Sequence, residues 1–325
     1  MSSCLCGSAI AQKTILYTMS GYLVKRLIHS IIIIFGISMA VFVISRLTGD
    51  PVSIMVDFGT SVEDREAIRK DLGLDKPMPV QYLIFLKKAA LGDFGDSIRY
   101  QEPAIGLVFQ RIPATLRLLA FTLFWALTVA VPIGIVSAIK RNGFFDVAGM
   151  TITFLGQSIP SFWLGIMLIM IIGVKLHLLP ISGYGGGDLS HVIMPAVTLG
   201  AFEMASFARI TRSSMLEVLE MDYIQTARAK GVREAWVVAK HALRNALIPI
   251  ITIMGLHVAL LLGGAVITEQ IFAYPGVGWL AVQSIYNRDF PVIQAIVLVV
   301  SVGVVATNFL IDILYTLIDP RIRYE

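Results

Sequence analysis

"LIHSIIIIFGISMAVFVIS", from Leu27 to Ser45, contains no Asp, Glu, Lys or Arg. A helix of about 20 mostly apolar residues crosses a bilayer core, so the stretch reads as a transmembrane span. Lys25 and Arg26 stand directly before it. The run is too long for the apolar region of a cleaved leader and has no small-residue cleavage site near its end. The rest of the chain fits this start. Its 325 residues are 56% hydrophobic and 15% charged, against about 25% charged in a soluble domain. Mean hydropathy is +0.79. The net charge of +4 does not point to nucleic acid, because the bases cluster at the ends of apolar runs, where they orient spans.

Working outward, six stretches qualify as spans: Leu27–Ser45, Leu118–Ile139, Val147–Val174 with Pro160 inside it, Val192 to about Ala208, Ala246–Thr268 and Pro291–Ile311. Glu203 interrupts the fourth. Prolines 132, 160, 195 and 249 fall within or beside spans, where freed carbonyls must be satisfied by neighbouring helices. A packed all-α bundle is therefore expected. Lys and Arg flank one set of loops: Lys25 and Arg26, Lys140 and Arg141, Arg209 and Arg212, Arg321 and Arg323. This places both termini in the cytosol.

The expected organisation has four parts. Residues 1–21 form an unstructured cytosolic tail, in which the part before Met19 is an extension or a misassigned start with no role in the fold. Residues 22–46 hold the first span. Residues 47–112 form an extracytoplasmic insertion, and residues 113–325 a core of five spans. In the insertion, "SVEDREAIRKDLGL" has Ser61 at an N-cap position, acids in its first turn and a stop at Gly73. "VQYLIFLKKAALG" reads as a second helix with a glycine stop. Cys4 and Cys6 imply no disulfide framework.

Between the fourth and fifth spans, at about 213–245, lies the most basic segment. "DYIQTARAKG" (Asp222–Gly231) reads as a helix that stops at Gly231. "REAWVVAKHALRNAL" reads as a second one, with Val232, Trp236, Ala239 and Leu243 on one face. The product is a helix–turn–helix elbow. It is either an interfacial amphipath touching anionic lipid or a docking element for a cytosolic partner, with apolar knobs and a basic rim.

Polar residues within spans cost about 2.5–3.5 kcal/mol each at the bilayer centre. Glu203 either lines a pathway and attracts an amine, or pairs with a base on another helix. His257 faces the pathway or bonds a neighbouring carbonyl. Glu269 contacts substrate or a binding protein, or anchors at the interface. Gln157 and Ser158, beside the Pro160 kink, offer hydrogen bonds to a peptide or to another helix.

The elbow resembles the coupling loop of ABC importer permeases, whose pattern is Glu-Ala-Ala, three residues, Gly, then Leu-Pro further on. Gln225, Thr226, Ala227, Gly231 and Leu247-Ile248-Pro249 match those positions, with Gln225, Thr226 and Ile248 departing from the pattern. The branch for dipeptides, oligopeptides and nickel is similar also at "GDP" (Gly49–Pro51), "LGLDKP" (Leu72–Pro77), "GDFGDS" (Gly92–Ser97), "TRSSMLEVL" (Thr211–Leu219), "YPGVG" (Tyr274–Gly278) and "DPRIRY" (Asp319–Tyr324). The resemblance covers Met19 to Glu325.

It implies a permease subunit of the bacterial or archaeal cytoplasmic membrane that works by alternating access. Its implied partners are a second permease, two ATPase subunits that bind the ATP, an extracytoplasmic binding protein, and membrane lipid. Asp222, Gln225, Thr226, Ala227, Arg228, Gly231, Arg233, Arg244 and Pro249 are the implied coupling residues. With glutamine at 225 in place of glutamate, docking falls to the fit of the helix and to bases such as Arg228 and Arg233. Peptides are the implied cargo, with nickel chelates, glutathione or another small solute as alternatives.

The chain has no G-x-x-x-x-G-K-[ST] to cradle phosphates, and "YGGGD" (Tyr184–Asp188) lacks the lysine. His29, His177, His191, His241 and His257 lie on different segments with no metal-ligand spacing, so no cofactor or metal is expected in this chain. No nucleophile–base pair suggests an enzyme. An ion-driven secondary transporter predicts inverted repeats, which are not evident. A non-transporting membrane scaffold leaves the elbow without a task.

Overall fold

The structure is a computed structural model, and it describes residues 3–47, 61–71 and 73–318. "GDP" and "DPRIRY" lie outside the described residues. Among those described, five helices are long and apolar enough to cross a membrane. A bent pair makes a sixth span if its two arms are counted together. The chain divides into two compact units, residues 1–105 with 288–325 and residues 106–287.

In the first unit, α1 runs Ser3–Leu47. The stretch before the span is thus helical, where the sequence suggested an irregular tail; it contains no proline to break the helix. Two short helices follow, α2 (Val62–Asp71) and α3 (Met78–Ala90). Ser61 caps α2 as expected, its Oγ accepting the Asp64 N–H at 3.1 Å. Both helices close with the same glycine device. Gly73 at φ +67° and Gly92 at φ +78° enter the left-handed region. Leu74 N–H then donates to Arg69 O and Asp93 N–H to Lys88 O, each at 2.9 Å, satisfying carbonyls the helix leaves open.

Helix α3 packs on α1 through Tyr82, whose hydroxyl lies 2.8 Å from Ser38 Oγ and whose ring meets Phe35 and Phe42. The last helix, α11 (Phe290–Ile318), packs along α1. Gln294 Nε2 donates to Ser45 Oγ at 2.8 Å. Asp289, just before α11, is buried and accepts the Ser97 hydroxyl at 2.5 Å and the Ile98 N–H at 3.3 Å. The "GDFGDS" loop is pinned in this way.

In the second unit, α4 (Ala104–Ile139) and α5 (Phe144–Ser158) are joined by a tight turn with Asn142 at φ +62°. α6 (Ser161–Leu168) continues as a π-helical turn, Ile169–Lys175. The expected third span is therefore not one tilted helix: its arms meet at 100°. Ile159 is extended at φ −81°, ψ 125°. A residue before proline is driven out of the α region, and Pro160 has no N–H to continue the ladder.

Helix α7 (Ser190–Leu219) is the centre of this unit, buried along most of its length. Around it pack α4, α5, α6 and α9 (Leu243–Ile271). Between α7 and α9 lie α8 (Asp222–Ala229), one turn at Glu234–Trp236 and a π-helical stretch, Val237–Ala242. A short helix, α10 (Val277–Tyr286), follows the "YPGVG" turn. Hydropathy alone did not separate α10 from its loop, because it is too short to register as a span.

Candidate functional site: the elbow and the polar centres of the second unit

The elbow is a small folded body rather than a surface strap. Ile224 on α8 is enclosed by Met215 and Val218 of α7, Ala138 of α4, and Val237, Ala242 and Ala246 beyond the turn. Burying one such side chain stabilises the folded state by about 1.5–3 kcal/mol. Gly231, at φ +76°, makes the turn. Its N–H donates to Arg228 O at 2.9 Å and Val232 N–H to Ala227 O at 3.3 Å. Asn245 Nδ2 donates to Tyr223 Oη at 2.6 Å, tying α8 to the start of α9.

The inward face differs from the expected one. Val232, Trp236 and Ala239 are exposed, Trp236 at 58%, while Val237 and Ala242 are fully buried. Val232 lies in the turn before the helix begins at Glu234, and beyond Trp236 the winding is π over Val237–Ala242. Bonds that skip five residues shift the seam off the 3–4 spacing of an α-helix. Trp236 is left outward, with Lys240 Nζ 5.8 Å from its ring centroid.

Of the coupling residues named from sequence, Asp222, Gln225, Thr226, Arg228, Gly231, Arg233, Arg244 and Pro249 are exposed and Ala227 is partly buried. Thr226 Oγ1 donates to Asp222 O at 2.9 Å. The Arg228 guanidinium forks onto Glu234 at 2.6 and 3.1 Å. That pairing holds the guanidinium above its ordinary pKa and joins the two sides of the Gly231 turn.

The pathway candidates fall into three places. Glu203 on α7 and His257 on α9 bond each other, and the His257 ring packs on Phe207 at 5.4 Å. Two residues considered separately thus form one buried centre. The Glu269 side chain lies apart from both. Its carboxylate is fully enclosed, accepting Thr115 Oγ1 at 2.8 Å and the Trp279 N–H at 2.9 Å. Thr115 Oγ1 in turn accepts the Val277 N–H at 2.8 Å. Sequence position put Glu269 at a span end, but the "YPGVG" turn folds over it. Beside it, burial pushes the Tyr274 phenol up and keeps it protonated. Gln157 and Ser158 line a cavity of about 290 Å³ at the α5–α6 break, with Ser161, Thr198 and Phe202. Ser158 Oγ also donates to Phe154 O at 2.9 Å.

Two links were not read from sequence. Asp146, in the first turn of α5, is buried and accepts Arg212 of α7 bidentately, at 2.7 Å to each oxygen. Arg141 reaches Glu220, at the end of α7, at 3.2 Å. The available signal was an acid opening an apolar run on the same side as the Arg-rich loop.

The sequence matches the family described as the binding-protein-dependent transport system inner membrane component over residues 130–324, and its N-terminal companion over residues 19–130. The chain belongs to this family. It is an ABC importer permease, a multi-pass inner-membrane protein. It is 43% identical over 317 residues to the oligopeptide transport system permease protein AppB of Bacillus subtilis, covering 94% of this chain and 100% of that one. It is 44% identical over 308 residues to the glutathione transport system permease protein GsiC of Pectobacterium atrosepticum, with the same coverage. Its fold is shared with a chain of the MetNI methionine ABC transporter in inward-facing conformations. There the TM-score is 0.56 at 18% identity, covering 66% of this chain and 96% of that one.

Proposed function

We propose that this permease is one half of the membrane channel of an ATP-driven importer for short peptides. Its elbow would dock a cytosolic ATPase, and a second permease of similar fold would complete the channel. The observation that carries this reading is the build of the elbow. Ile224, Val237 and Ala242 lock it to α7 and α4, while Trp236 and Val232 face outward. A rigid body with outward apolar knobs passes a push to the helices on which it stands; a lipid-lying amphipath needs no such anchoring. Arg228, Arg233 and Arg244 form its basic rim.

In this arrangement both termini and the elbow lie in the cytosol, and the α2–α3 insertion faces the external binding protein. ATP is bound by the partner subunits. The relatives named for oligopeptides and for glutathione, itself a tripeptide, support a peptide cargo. Gln157 and Ser158 at the α5–α6 break would offer hydrogen bonds along the pathway.

The test is purification of the C-terminally tagged chain in mild detergent, with mass spectrometry of what accompanies it. Two ATPase chains and a second permease are expected, and the cognate binding protein can then be screened against di- to pentapeptides, glutathione and nickel chelates. Recovery of the chain alone under several detergents, with no ATPase cross-linked to Trp236→Cys, would reject the docking reading.

A further inference from the structure

We propose that Asp146 and Arg212 are a positioning pair that delivers movement of the elbow to the break in the third span. The inference rests on the reading of the elbow as the ATPase dock.

Three observations place the pair on that route. The elbow is packed against Met215 and Val218 on the last turns of α7, so it and that end of α7 move together. Arg212 lies one turn from Met215 along α7, and its Nε and Nη2 each donate to Asp146 at 2.7 Å. The Asp146 carboxylate also accepts the Asn142 N–H at 2.9 Å. It is therefore fixed from the turn on one side and from α7 on the other. A forked bond to a buried carboxylate defines orientation as well as distance.

From this anchor helix α5 runs from Asp146 to Ser158, about 18 Å at the helical rise. It ends at the extended Ile159 and Pro160, where the chain turns through 100°. At that break α5 and α6 line one cavity together with Thr198, Ala201 and Phe202 of α7. A stiff helix held at one end and broken at the other moves the break when the anchor moves, and a few residues at an element end absorb such a change. The second clip, Arg141 to Glu220, joins the α4–α5 turn to the end of α7. It is exposed and single, so it is the weaker of the two.

The experiment compares parent and Arg212→Lys in the complete transporter, purified with its partners and placed in liposomes. Lysine keeps the charge and loses the fork. Two quantities are read. One is ATP hydrolysed per solute taken up. The other is the ATP-dependent change in thiol-labelling rate at Phe202→Cys, in a background with Cys4 and Cys6 replaced by serine. We expect Arg212→Lys to keep its ATPase, to spend about fivefold or more ATP per solute, and to lose the ATP-dependent change in labelling. Asp146→Asn, which keeps the side-chain shape, should do the same and serves if Arg212→Lys fails to reach the membrane. A merely structural pair would lower the amount of transporter and leave both readouts unchanged in what remains, and that result overturns the proposal. A parent that retains no ATPase overturns the docking reading and the pair's role together. A variant that retains ATPase with unaltered coupling overturns the pair's role alone.

Discussion

Glu203 on α7 and His257 on α9 bond each other although 54 positions separate them in the chain. These are the two helices that flank the elbow, so the pair ties its two supports together. Removing one partner leaves a polar group enclosed without its complement. His257→Ala should cost about 3–5 kcal/mol, and a double apolar replacement, Glu203→Met with His257→Leu, should recover most of it. Thermal unfolding of the purified chain and a double-mutant cycle check this; additive single effects would sink the idea.

Glu269 holds the "YPGVG" turn through Thr115 and the Trp279 N–H. Replacement by alanine leaves Thr115 Oγ1 and the Trp279 N–H without their buried acceptor, about 1–3 kcal/mol each. Glu269→Gln should be milder because it can still accept from Thr115. Gly276→Ala should be as damaging as Glu269→Ala, since a Cβ there runs into the Glu269 carboxylate. Unfolding temperatures of the three variants rank them, and a harmless Gly276→Ala would contradict the packing described.

Gly231 makes the elbow turn in the left-handed region with open space around it. A side chain there meets backbone strain and no collision, at about 1–2 kcal/mol. Gly231→Val should insert normally yet lose most uptake, and Gly231→Asn, which tolerates that conformation, should lose less. Radiolabelled peptide uptake against membrane abundance gives the answer; full uptake in Gly231→Val would remove the turn from the coupling argument.

Trp236 is outward on the elbow and contributes little to its core. Trp236→Ala should shift stability by no more than about 0.5 kcal/mol. If the ring is an anchor for a partner, its loss should weaken ATPase retention by about tenfold or more, as truncating an interface hot spot does. Pull-down titration with the co-purified ATPase separates the two effects, and undiminished retention would move the dock elsewhere on the elbow.

The local chemistry of the chain determined the spans and the turns. Unbroken apolar runs such as Leu27–Ser45 admit only a satisfied helix in lipid. Ser61, Gly73, Gly92 and Gly231 act within a few residues of themselves, so the α2 cap and the glycine closures after α2, α3 and α8 were legible before any coordinates. The severity of the break at Pro160 was not, because a proline in a span can kink it or divide it, and packing chooses. The inward face of the elbow was not legible, because Val232 falls in the turn ahead of the helix and π winding at Val237–Ala242 departs from the α period. Only the tertiary structure could join Glu203 to His257, Glu269 to Thr115 and Asp146 to Arg212. In each case the partner of a costly buried group lies dozens of residues away, where neither periodicity nor spacing carries information about contact.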